Sequence, residues 1–154
     1  MGEGIVSLKE TIVVDMKSAM RAKDKLKLST IRLLLAAIKQ IEIDEKIMLS
    51  DVGISTLVIK MIKQRQDSIA QFSDANRYDL ADKENQEMGI LKSYVLDPLS
   101  TDEIDQIIHA VFAELTPTGL QDMGRIMSAV KPQVEGRADM GSISQQVKLR
   151  LQQG

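Results

Sequence analysis

DKLKLSTIRLLLAAIK, residues 24–39, decides the fold class. Asp24 offers a capping carboxylate, and Leu28, Ile31, Leu35 and Ile38 recur at steps of three and four, the period of an α-helix. Between Ile31 and Ile38 only Arg32 breaks an apolar run, so the segment predicts a helix that is apolar almost all round and buried by several neighbours.

Those neighbours are legible on both sides. Upstream, Ser7 and Glu10 have the spacing of a capping box and open a helix over about residues 8–23, with Leu8, Ile12, Met16 and Ala19 on its stripe. Downstream, Ser50 or Asp51 starts a third helix carrying Leu57, Met61, Ile69 and Phe72. A fourth is expected from about Tyr78 to Tyr94, marked by Leu80, Met88 and Leu91, with Gly89 weakening it by about 1 kcal/mol relative to Ala. LDPLSTDE, residues 96–103, then changes register, because Pro98 disfavours helix at Asp97 and Ser100 with Glu103 forms a second capping box. A boundary here gives an N-terminal four-helix region over residues 1–97 and a C-terminal three-helix lobe over residues 98–154. The fifth helix spans about Thr101 to Leu115. Thr118 with Gln121 offers a third capping box, opening a short helix through Met123, Ile126, Met127 and Val130 that Pro132 is expected to halt. The last helix starts at Asp139 and uses Ile143, Val147 and Leu151. With no alternating strand pattern and no internal repeat, the expected class is all-α.

Composition agrees. At 154 residues the chain is one ordinary domain or two small ones, and with aromatics at 3% its core must come from aliphatic residues and the nine Met. The absence of cysteine removes disulfides, thiolate metal sites and a Cys nucleophile, and the single His109 cannot supply a multi-histidine ligand set. MGEGIVSLKE lacks a basic segment followed by a long apolar one, and no run approaches the roughly eighteen apolar residues of a membrane span. A soluble, cytoplasmic protein is therefore expected.

The net charge of −2 hides a separation. Lys17, Arg21, Lys23, Lys25, Lys27 and Arg32 face one acid, Asp24, within residues 17–32. Residues 67–105 hold ten acids against Arg77, Lys83 and Lys92. From Pro117 onward five basic residues face Asp122, Glu135 and Asp139. Two cationic regions thus flank an acidic middle, a distribution that orients a polyanion, although solvated helix faces are the commoner origin of such runs. Platforms for stacking unpaired bases are missing, because Phe72, Phe112, Tyr78 and Tyr94 fall at core or boundary positions.

Catalytic patterns are scarce. No phosphate-binding glycine loop, serine elbow or cofactor motif occurs. Ser128 to Lys131 reads S-A-V-K, a chance match to one element of an acylating hydrolase whose companion motifs are absent. His109 sits among Ile107, Ile108 and Ala110, where a packed or half-exposed structural histidine is expected. Glu84 with Glu87, and Asp102 with Asp105, share helix faces in ways that capping and solubility explain. Met16, Met20, Met61, Met88, Met123 and Met127 follow core periodicity.

The tail, KPQVEGRADMGSISQQVKLRL over residues 131–151, is more suggestive. Asp139 caps the last helix after a turn at Gly136, and Lys131 and Arg137 stand beside the helix start, where backbone amides favour an anion. GRADMGSISQQVKLRL, together with LKETIVVDMKSAMRAKDKLKLSTIRLLLAAIK and KMIKQRQDSI, resembles the YqeY family over about Ser7 to Leu151. The resemblance implies a two-lobed helical fold whose C-terminal lobe is similar to the tail of GatB, a subunit of the glutamine-dependent amidotransferase that amidates mischarged tRNA. It implies tRNA as a partner, with aminoacyl-tRNA synthetase or amidotransferase components beside it, and Lys131, Arg137, Lys148, Arg150 and Arg125 as contacts to the nucleic-acid backbone. No catalytic residue, cofactor or metal is implied. The family's Tyr-Leu-Pro linker is here Tyr94, Val95, Leu96, with Pro98 retained. The expected function is a non-catalytic tRNA-binding module; the alternatives are a protein–protein adaptor and an accessory to carbon–nitrogen ligation with glutamine as amide donor.

Overall fold

A computed structural model describes residues 7–153. MGEGIV, which entered the leader reading above, lies outside them. The described residues form seven α-helices and no strand: α1 (Leu8–Ala22), α2 (Lys25–Glu45), α3 (Asp51–Asp74), α4 (Tyr78–Lys92), α5 (Thr101–Leu115), α6 (Met123–Val134) and α7 (Met140–Gln153), with a short 3-10 turn over Leu120–Asp122.

The helix starts are fixed by side chains three residues away. Ser7 Oγ accepts from Glu10 N at 3.1 Å, Asp24 Oδ1 from Lys27 N at 3.1 Å, Ser50 Oγ from Gly53 N at 3.1 Å and Asp139 Oδ2 from Ser142 N at 3.2 Å. The Ser100–Glu103 box closes in both directions, Glu103 N donating to Ser100 Oγ and Ser100 N to Glu103 Oε1. The turn from α1 to α2 takes two residues because Lys23 adopts φ 57°, allowing Lys23 N to reach Met20 O and Asp24 N to reach Ala19 O.

Contacts divide the chain into two compact units, Met1–Leu96 and Asp97–Gly154. In the first, α1 packs on α2 and α3 on α4 around Ile12, Ile31, Leu34, Ile38, Ile54, Val58 and Leu91. The end of this unit is tied back twice: Tyr94 Oη donates to Asp15 Oδ2 at 2.6 Å, and Leu96 N donates to Ser55 Oγ at 2.8 Å. Burial raises the Tyr94 phenol's pKa, and its bond to the Asp15 carboxylate raises it further. The second unit closes around Ile108, Val111, Ile126, Val130, Val134, Ile143, Val147 and Leu151.

Four expectations are corrected. α2 is not buried all round: Ile31, Leu34 and Ile38 are buried, but Leu33 keeps 52% of its surface, because the helix packs on its neighbours along one stripe only. Met20 and Tyr78 are exposed, not packed in or beside the core. Pro132 does not halt α6, which runs on to the buried Val134; the proline forfeits its own amide bond, whereas Glu135 N still reaches Lys131 O at 2.9 Å. No Thr118–Gln121 box opens that helix either. Asp122 Oδ2 instead accepts from Thr118 N at 2.7 Å and Gly119 N at 3.3 Å, while Gln121 Nε2 donates to Thr118 Oγ1.

Candidate nucleic-acid interface

A side chain that neutralises a phosphate must be exposed, and one without hydrogen-bond or carboxylate partners of its own is the more available for it. The five tail cations divide sharply on this criterion. Arg137, in the turn after α6, sends Nε to Asp97 O at 2.9 Å and Nη1 to Gln133 O at 3.1 Å, and pairs with the Asp97 carboxylate at 2.9 Å. Its own carbonyl accepts from Leu99 N. This guanidinium fastens the start of the second unit to the end of α6. Arg150 on α7 pairs with Asp105 on α5 at 3.3 Å and lies 5.7 Å from the centre of the Phe112 ring, which joins the two helices. Arg125 pairs with Asp122 at 3.1 Å. Asp122 is held below the ordinary carboxylate range, first by the Thr118 amide and then by Arg125. Lys131 and Lys148 are exposed and carry no ion pair among the described residues. Lys148 and Arg150, two apart on α7, do not share a helix face. The tail therefore presents two free lysines and three arginines already bonded within their own unit, a distinction that sequence spacing does not reveal.

The N-terminal unit behaves differently. Lys17, Arg21, Lys23, Lys25 and Arg32 are exposed and Lys27 is half-buried, and none has a carboxylate partner among the described residues. Asp24, the one acid among them, is engaged in capping α2. Lys25 and Arg32 on α2 line a groove of about 550 Å3 together with Lys83 from α4. Its apolar lining is Leu28 and Leu33, and Ser29 stands between the two α2 cations. The acid at this groove, Glu87, is 9% exposed and turned to Arg65 of α3 at 3.5 Å. The loose Glu87–Arg65 pair leaves Arg65 Nε without a hydrogen-bond partner. Solubility does not account for the buried Glu87, and Lys83, in the acidic middle by sequence, joins Lys25 and Arg32, whose spacing of seven puts them on one face of α2.

Other polar groups are structural. Glu42 accepts from Leu49 N and from Lys9 Nζ, both at 2.9 Å, and these two bonds, the backbone one first, lower its pKa. His109 is exposed on α5, and no hydrogen bond joins Ser128 to Lys131. Among the described residues no group of three acidic or histidine side chains is placed to hold a metal ion, and no helix is long and apolar enough to cross a membrane.

The family model described as Yqey-like protein matches residues 9–151, nearly the whole chain. The chain belongs to the YqeY-like family. Among curated proteins, this YqeY-like chain is 40% identical over 116 residues to "Altered inheritance of mitochondria protein 41, mitochondrial" of Kluyveromyces lactis, covering 73% of this chain and 60% of the relative. Proteins of the same name from Pyrenophora tritici-repentis and Saccharomyces cerevisiae (strain YJM789) are 32% and 43% identical over 126 and 95 residues, covering 80% and 60% of this chain and 69% and 51% of theirs. The match thus spans about 60% of the Kluyveromyces relative's length. These names overturn the expectation of a cytoplasmic protein, since the relatives are designated mitochondrial. Absence of a leader pattern in ten residues carried that expectation, and it is a weak physical criterion for compartment.

Proposed function

We propose that this YqeY-like chain is a non-catalytic tRNA-binding module that assists tRNA-dependent amidation. What carries the proposal is the set of exposed cations without carboxylate partners, in each unit of a chain whose net charge is only −2. The class of polyanion is taken from what the YqeY resemblance, carried in part by GRADMGSISQQVKLRL, implies: a C-terminal lobe similar to the GatB tail. In the tail, Lys131 and Lys148 are the phosphate contacts, while Arg137, Arg150 and Arg125 hold the lobe in shape. Amidotransferase or synthetase components are the expected protein partners.

Filter-binding titration with bulk tRNA at about 50 and 200 mM salt tests this. Neutralising several phosphates makes affinity fall by orders of magnitude between those concentrations. Equal, negligible retention at both salts removes the proposal, as does glutamine-dependent amidation by the purified chain alone. An adaptor role has one observation in its favour: Val14 and Met48, 55% and 78% exposed, line an apolar depression of about 560 Å3 with Val13.

A further inference from the structure

We infer that the groove between α2 and α4 is a second nucleic-acid-backbone site, formed by Lys25, Arg32 and Lys83. It rests on the tRNA-binding proposal for its ligand class and departs from it in placing the stronger contacts in the N-terminal unit, outside the tail.

Convergence comes first. Lys83 belongs to a helix with several acids, yet it lines the same groove as Lys25 and Arg32, so three cations from two helices meet at one concavity. Their charge is not cancelled locally. None has a carboxylate partner among the described residues, and Glu87, the acid of the groove, is taken by Arg65. A rim of three positive charges over a low-dielectric wall made by Leu28 and Leu33 concentrates the field in the groove.

Extent sets the class of ligand. Lys25 and Arg32 are seven residues apart on α2, roughly 10 Å along the axis at about 1.5 Å per residue. A lone carboxylate or phosphate cannot satisfy charges so spread, whereas a polyanion with regularly repeated phosphates does. The groove brings a hydroxyl, Ser29, and no aromatic ring. It therefore holds the backbone and leaves bases unread, so binding is indifferent to sequence.

The experiment compares the full chain with two charge-reversed variants, Lys25→Glu/Arg32→Glu and Lys131→Glu/Lys148→Glu, in anisotropy titrations with fluorescently labelled bulk tRNA across a salt series. Helicity and melting of each variant are checked first by circular dichroism; all four side chains are exposed, so both should match the parent. The groove variant is expected to bind about tenfold more weakly or worse, with the slope of log affinity against log salt reduced by about two. Groove-variant binding within twofold of the parent, with loss confined to the tail variant, overturns this inference and leaves the tRNA proposal standing. No tRNA binding by the parent overturns both. Poly-glutamate bound as tightly as tRNA at equal charge concentration would show an acidic-protein surface and overturn the nucleic-acid assignment. Failure of poly-glutamate to compete, with the groove variant impaired, supports it.

Discussion

Replacing Arg137 with alanine should loosen the C-terminal unit whether or not any nucleic acid is present. The side chain makes three connections: Nε to Asp97 O at 2.9 Å, Nη1 to Gln133 O at 3.1 Å, and an ion pair with the Asp97 carboxylate at 2.9 Å. Each carbonyl bond is worth about 0.5–1.5 kcal/mol net. With 32% of the side chain in water the lower half of that range applies, giving about 1–2 kcal/mol for the two. The ion pair adds no more than about 0.5 kcal/mol, since the Asp97 side chain is 84% exposed. A total near 1.5 kcal/mol corresponds to about a tenfold change in an opening equilibrium. Amide hydrogen exchange reads this locally: Arg137→Ala should speed exchange in α5, α6 and α7 about tenfold and leave α1 to α4 unchanged. Arg137→Lys, which keeps the charge but not the planar fork, should recover less than half of the lost protection. Asp97→Asn, at a position with φ 37° that asparagine tolerates, removes only the ion pair and should stay within threefold of the parent. Protection of α5 to α7 unchanged in Arg137→Ala, within twofold, would refute the assignment of this arginine to the fold and return it to the surface as a free cation. The same numbers govern interpretation of binding assays, because weaker tRNA retention by an Arg137 variant would report an altered lobe as much as a lost contact.

Two further outcomes follow from the geometry. Leu34→Ala should cost about 2–5 kcal/mol in a urea titration and Leu33→Ser less than about 0.5 kcal/mol, because neighbours on α2 face opposite environments; equal costs would mean that α2 is enclosed on every side. Asp122→Asn should lower the melting temperature at pH 7. The folded Asp122 carboxylate is held below its ordinary value, so its contribution is present above that value and disappears as pH falls through the lowered one; the gap between parent and variant should close below about pH 4, and a gap independent of pH would contradict the Thr118 and Gly119 bonds.

Periodicity and capping are relations between residues three or four apart, and the sequence carries such relations in full. Leu28, Ile31 and Ile38 announce a helix, Ser100 and Glu103 announce its start, and Asp97 with Pro98 marks a break, so the all-helical class and most helix limits were legible. Where local rules compete, the tertiary contacts decided. Pro132 is tolerated because Val134 is drawn into the core, and the loop before α6 follows Asp122 because its carboxylate reaches two amides that a glutamine box would have left open. The cations show the same division more strongly. Their number and clustering are sequence properties, but whether a cation is available depends on partners 40 and 45 residues away for Arg137 and Arg150, and on the packing that brings Lys83 to Lys25 and Arg32. Charge is written in the chain; its neutralisation is a distance, and distances between remote residues exist only once the helices have packed.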